Sequence, residues 1–160
     1  MLLFRRGYSM IELLVVMAVL GILATAAMPL VELTAKRNKE RELKQAVWEI
    51  RRAIDAYKLA FDAGRIAPTT NTSGYPPSLE ALTKGVPDLL AGGQPLYLLR
   101  RLPKDPFAPA DGQDKPGAVP SWGVRSYAST ADEPKPGADV FDVYSTSEGT
   151  GMNGVPYRLW

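Results

Sequence analysis

Apolar residues occur along this chain in two regimes. Between Leu13 and Val31 lie nineteen residues without a formal charge, which at the helical rise span about 28 Å, close to a bilayer's hydrocarbon thickness. This stretch predicts a membrane-spanning helix. Further on the apolar positions narrow to a stripe: Leu43, Val47, Ile50, Ile54, Tyr57 and Phe61 recur at intervals of four, three, four, three and four, one face of an amphipathic helix. Lys36, Arg37, Lys39, Arg41, Lys44, Arg51, Arg52 and Lys58 clothe its other sides. Trp48 falls off the stripe and fits either the edge of a core or a contact with a neighbour. Joined, the two regimes predict one helix from Tyr8 to about Phe61, roughly 80 Å long at the standard rise, half in a membrane and half under a head domain.

Glycine favours the position just past a helix end, so the helix should stop near Ala63-Gly64. Pro68, Gly74, Pro76, Pro77, Gly85, Pro87, Gly92, Gly93 and Pro95 then mark a loop region. Within it a short helix over Ser78 to Leu82 is expected, with Ser78 as N-cap and Ala81 and Leu82 facing inward. Leu96 to Phe107 closes a second apolar patch. Ser121 to Ser129 and Asp139 to Ser145 have the aromatic and β-branched content of strands, separated by a polar connection through Pro134 to Gly137. They predict a small antiparallel sheet, with room for a third short strand, packed on the helix. The expected class is α+β, with one modest head domain, since about a hundred residues outside the helix support no more.

Composition limits the chemistry. There is no Cys and no His, so thiolate and imidazole sites are excluded. No phosphate-binding glycine loop, paired carboxylates at a recognisable spacing or nucleophile motif is present. The expectation is a protein that is not an enzyme. The formal net charge is +2, too small for a nucleic-acid surface, yet it is unevenly spread. Residues 36–58 hold eight bases and four acids, and residues 105–148 three bases and eight acids. The reading is that the basic helix face of one subunit meets the acidic part of another, so that reversing Arg51 and Arg52 impairs assembly and leaves the monomer folded.

Arg5 and Arg6 precede the apolar run and set its orientation, N-terminus inside and the remaining chain outside. A cleavable signal peptide has the same order of regions, and Ala24 to Ala27 imitates its cleavage site, but the run is longer than a signal core and flows into a patterned helix. Glu12 interrupts the run. An acid in a membrane helix is costly and usually partnered. Two readings stand: an interfacial glutamate reaching back to water, or a carboxylate that neutralises a cation presented by another copy of the chain. Pro29 lacks an N–H donor, so it kinks or locally melts the helix or else ends it, and the helical pattern beyond favours the first.

Arg5-Arg6-Gly7-Tyr8-Ser9-Met10-Ile11-Glu12 resembles the processing site of type IV pilins and pseudopilins. The resemblance implies cleavage between Gly7 and Tyr8 by a prepilin peptidase, methylation of the new amine, and pairing of Glu12 with the N-terminal amine of a neighbouring subunit. Tyr8 stands where the family usually has Phe. Pro29 falls where the family commonly has proline. Ala56-Tyr57-Lys58-Leu59 with Gly64-Arg65, Tyr75-Pro76-Pro77-Ser78-Leu79 with Leu82, Tyr97-Leu98, Leu102 to Phe107, and Asp142-Val143-Tyr144-Ser145 follow the order of the major pseudopilin of type II secretion, although that family usually has Trp at the position of Phe107. Divided accordingly, the chain has a leader over 1–7, a transmembrane and filament-core helix over 8–31, an amphipathic helix over 32–63 and a periplasmic head over 64–160.

What the resemblance implies is a structural subunit of a periplasmic pseudopilus. Its partners would be further copies of itself in a filament, minor pseudopilins, the prepilin peptidase, an inner-membrane assembly platform and the membrane itself, without nucleic acid. It would sit in the inner membrane with a cytoplasmic N-terminus and a periplasmic head, entering the filament on assembly. A minor pilin or DNA-uptake pilin-like subunit shares the N-terminal half, and a bitopic binding module shares the anchor. Major pseudopilins also carry a calcium loop near the C-terminus. Calcium takes six to eight oxygens, carboxylates preferred, and Asp139, Asp142, Ser145, Ser147, Glu148 and Asn153 offer some of them. The set is sparse in acids, and a glycine-rich loop held by Tyr157 and Trp160 fits the same residues.

Overall fold

Helix α1 runs from Met10 to Asp62. The structure, a computed structural model, describes residues 7–68, 73–108, 122–130 and 132–160, and only the backbone at 26–29. Arg5, Arg6, Ser121 and the Pro29 side chain therefore lie outside the described residues. At its end α1 is closed by Gly64, whose φ of 71° is one that residues with a Cβ rarely adopt. The Gly64 amide donates to the Phe61 carbonyl at 2.9 Å and the Arg65 amide to that of Ala60 at 2.9 Å, the paired bonds of a Schellman motif. The expected stop is met within a residue.

The chain divides into two compact units, Met1–Asn38 and Lys39–Trp160. In the first unit, among the described residues, none in the most apolar 18-residue window of the helix is buried. Among the described residues, fourteen large apolar side chains between Met10 and Leu33 are exposed. At about 1 kcal/mol for each half-exposed side chain, leaving them in water would cost on the order of 10 kcal/mol, comparable to a whole domain's stability. This surface needs lipid or protein around it. Polar groups are dealt with locally: Thr25 Oγ1 donates to the Ile22 carbonyl at 2.8 Å and Thr34 Oγ1 to that of Leu30 at 2.8 Å, which a helix in hydrocarbon requires.

In the second unit Leu43, Val47, Ile50, Ile54 and Tyr57 are buried as the stripe predicts, with Phe61 partly so. Trp48 is 60% exposed, with the Arg52 guanidinium 4.9 Å from its ring centre, so it does not cover the core. Helix α2, Leu79–Lys84, buries Leu79 and Leu82. Two details differ from expectation: Ala81 is only half-buried, and Ser78 holds the N-cap position without capping with its hydroxyl. The Ser78 hydroxyl bonds the Glu80 side chain instead and, as the chief cause, holds that carboxyl below its usual range.

The region read as loop contains a hairpin, β1 (Val86–Asp88) against β2 (Gln94–Leu96), antiparallel with Pro87 opposite Pro95. Three-residue strands with a central proline leave no alternation to detect. Their anchor is electrostatic: Asp88 is 3% exposed and accepts from Arg65, whose hydrogen bond holds the carboxyl below its usual range. Strands β3 (Trp122–Arg125) and β4 (Asp142–Ser145) form the second antiparallel pair, shorter than the expected segments. Core residues Val140, Val143 and Trp122 join the helix stripe, and the Trp122 indole donates to the Pro103 carbonyl at 2.9 Å.

On the outer face of that pair, Tyr144 lies across its cross-strand partner Gly123, where an added Cβ would come within 2.3 Å of the ring. Gly123→Ala should cost about 1–3 kcal/mol, the usual range for overpacking. The check is a lower urea midpoint for the detergent-solubilised chain with its helical circular dichroism retained before the transition.

Candidate functional site

At the start of α1 the sequence Ser9-Met10-Ile11-Glu12 has the spacing of a capping box. Leaving the first amides of a helix unpaired is costly in any environment and most costly in lipid. Here the Ile11 amide donates to Ser9 Oγ at 3.3 Å, and the Ser9 amide donates to Glu12 Oε2 at 3.4 Å. Serine and glutamate therefore cap reciprocally. The helix dipole also favours an anion in the first turn. Glu12 thus has a local role that neither reading of the run included, although the serine three residues before the acid was its signal. Gly7 and Tyr8 precede the helix, outside any regular element. Tyr8 is 78% exposed and nothing approaches within 4 Å of where a Gly7 Cβ would stand. The Gly7–Tyr8 peptide bond is open to attack.

Backbone at Pro29 is helical, and α1 continues past it to Asp62. A proline there cannot donate to the Thr25 carbonyl, four residues back. The helix does not end at this position.

Five of the six oxygen-bearing residues read as calcium ligands hold other partners. Asp139 accepts from Ser126 Oγ at 2.7 Å and the Tyr127 amide at 2.9 Å. Burial pushes its carboxyl up, but bonds from Ser73, Ser126 and Tyr127 outweigh this and hold it below the usual range. Asp142 lies between two guanidiniums: Arg51 Nε at 2.7 Å and Arg125 Nη2 at 3.0 Å. Ser145 faces the other side of β4, as its odd spacing from Asp142 demands, and donates to the buried Asp105 at 2.6 Å. Ser147 Oγ accepts from the Gly149 amide and Asn153 Oδ1 from that of Val155. Glu148 is exposed. Among the described residues no three acidic side chains gather where one metal ion would bind. Among the described residues, the buried side-chain polar atom without a partner is Trp160 Nε1, which is a donor.

The tail is held by Tyr157 and Trp160, as the second reading of these residues had it; its contacts with α1 were not read from the sequence. Glu40, on α1, accepts from the Met152 amide at 2.9 Å and the Tyr157 hydroxyl at 3.1 Å with the same oxygen. Tyr157 is buried, stacked on Phe107 at 4.2 Å and edge-on to Trp160 at 5.0 Å. Arg51 Nη2 donates to the main-chain oxygen of Trp160 at 2.9 Å. Arg51 is therefore committed within its own chain, which corrects the expectation that Arg51 and Arg52 together face another subunit.

Residues 4–28 match the family described as the prokaryotic N-terminal methylation motif. The chain is 36% identical over 107 residues to the type II secretion system core protein G of Escherichia coli (strain K12), covering 64% of this chain and 67% of that protein. No solved structure matches.

Two outcomes follow from this geometry. Arg51→Glu should lower stability by about 1–3 kcal/mol, since it removes three acceptors' partner and sets an acid against Asp142, whereas Arg52→Glu should change it by less than about 0.5 kcal/mol; paired urea titrations decide. Burial, then the bond to Glu40, pushes the Tyr157 phenol from 10.0 up to about 12. A raised folded value means the contribution is complete below pH 10.0 and drains away as pH rises through about 12. Alkaline titration of phenolate absorbance should show a step near 12 that Tyr157→Phe deletes.

Proposed function

The chain belongs to the family of the type II secretion system core protein G, and from that premise we propose that it is a structural pseudopilin subunit that assembles into the periplasmic pseudopilus of a type II protein secretion system. The observation that carries this reading is the first unit itself. An N-terminal methylation motif leads into a helix whose most apolar stretch has no buried side chain among the described residues. Such a surface is stored in lipid and later covered by copies of itself.

The chemistry supports that order of events. Prepilin peptidase cleaves the open Gly7–Tyr8 bond and methylates the Tyr8 amine, so the chain is the substrate of two reactions and catalyses none. The new amine lies four residues before Glu12, ahead of the helix start. In the membrane the cap from Ser9 takes up part of the carboxylate's charge and lowers the cost of holding it there. In the filament the amine of a neighbouring Tyr8 supplies a full positive charge. Because lipid is as apolar as the helix, association gains little from the hydrophobic effect, and close packing at small residues such as Gly21 and Ala24, together with the Glu12 pair, sets the register. The helix crosses the inner membrane once with its N-terminus cytoplasmic, and residues 64–160 lie in the periplasm. Minor pseudopilins and the inner-membrane assembly platform are its other partners, with no role for nucleic acid.

Mass spectrometry of the membrane-extracted protein should find a mature chain beginning at methylated Tyr8; an intact Met1 would refute the processing. Glu12→Gln and Glu12→Ala should both insert normally. Losing one partner of a desolvated charge pair costs about 2 kcal/mol or more, so filament yield and secretion should fall to roughly a tenth or below. Normal filaments from either variant would sink the pairing.

A further inference from the structure

We propose that the C-terminal segment of this chain, residues 146–160, is closed by Glu40 and Arg51 of α1 acting as built-in ligands, so that its fold does not depend on a calcium ion. The argument rests on the polarity of the contacts. A loop that binds a cation turns carbonyl and carboxylate oxygens inward. This loop does the reverse at its centre, sending the Met152 amide and the Tyr157 hydroxyl to one carboxylate oxygen of Glu40. Positive charge comes from the protein: Arg51 Nη2 reaches the Trp160 main-chain oxygen at the end of the segment at 2.9 Å and, on β4 just before the segment, the Val143 oxygen at 3.3 Å. A guanidinium supplies several donors in a fixed fork. One side chain thereby does for these carbonyls what an ion would do.

Other carbonyls of the loop are already used. The Tyr157 amide donates to the Gly149 oxygen at 3.0 Å and the Gly151 amide to that of Val155 at 2.9 Å. Space is equally committed. A Cβ at Gly149 would stand 2.9 Å from the Tyr157 ring, and one at Gly151 would stand 2.3 Å from the Trp160 ring, so the loop closes directly onto the aromatic pair. Lys44 Nζ lies 4.4 Å from the Trp160 ring centre, which adds a second positive charge beside Arg51. A divalent cation beside Trp160 would face two cations, and among the described residues Glu148 is the single acid that the segment itself carries. Glu40 is thus a positioning residue for the tail, acting from the helix that carries the core stripe.

The test needs only the single full chain in detergent, and its outcome is separate from whether that chain forms filaments. Hydrogen exchange of residues 149–157 and the thermal midpoint are read with excess calcium and with EGTA. In the wild type neither should differ between the two conditions. Glu40→Ala should speed exchange across 149–157 roughly 10- to 100-fold, the loss expected for hydrogen bonds to a charged acceptor, while the Ile50 and Ile54 amides keep their protection. Slower exchange or a higher midpoint with calcium in the wild type would overturn the proposal, and so would unchanged tail exchange in Glu40→Ala. Should Glu40→Ala lose protection at Ile50 and Ile54 as well, Tyr157→Phe, which removes one hydroxyl, decides by the same two readings.

Discussion

Every element of the second unit depends on one stripe of α1. Strands of three and four residues in two separate pairs are not stable by themselves, and the six-residue α2 is far too short to persist alone. What makes them persist is burial of Leu79, Leu82, Leu99, Trp122, Val143 and Tyr157 in one cluster with Leu43, Ile50, Ile54 and Tyr57. Because the stripe is straight and regular, it fixes the positions at which these pieces dock. The loops between them can then be rich in glycine and proline without loss of order, since their ends are held.

Charges perform the second level of fixation, and they do so pairwise. Asp88 ties β1 to Arg65 just beyond α1, Asp105 receives the hydroxyl of Ser145 from β4, and Asp142 gathers Arg51 and Arg125. An acid that is largely buried must be compensated locally, for the desolvation cost is set by its own surroundings and not by the total charge of a region. This is why the contrast between a basic stretch and an acidic one, real in the sequence, misdirects when it is taken as a surface. Part of that contrast is consumed inside the chain.

Much of the fold was legible for the same reason. A helix stripe repeats over several turns, so the signal at Leu43 to Phe61 accumulates, and Gly64 marks its end by a backbone requirement that other residues meet poorly. Strand parity is legible too: Asp142 and Ser145 are three apart and so fall on opposite faces of β4. The hairpin at Val86–Leu96 left no such trace, because three-residue strands cannot show a period. Glu40 was hidden differently. Its partners Met152 and Tyr157 lie more than a hundred residues away, and nothing local distinguishes it from any other helix-surface acid.

Glu12 shows how far local chemistry can carry a functional residue. A bare carboxylate in a membrane helix is an obstacle to insertion, and a fully neutralised one has nothing left to offer a partner. The cap lies between these limits: one oxygen of Glu12 accepts a long bond from the Ser9 amide, at the positive end of the helix dipole. That contact eases storage in lipid but is weak enough to be exchanged. In the proposed filament an incoming amine adds a full charge at the same helix end without requiring the cap to dissolve, since a carboxylate accepts several hydrogen bonds. The same four residues that start the helix therefore set how strongly the carboxylate is held before assembly. The difference between that holding and the strength of the new ion pair is the part of the driving force that lipid, being as apolar as the helix, does not supply.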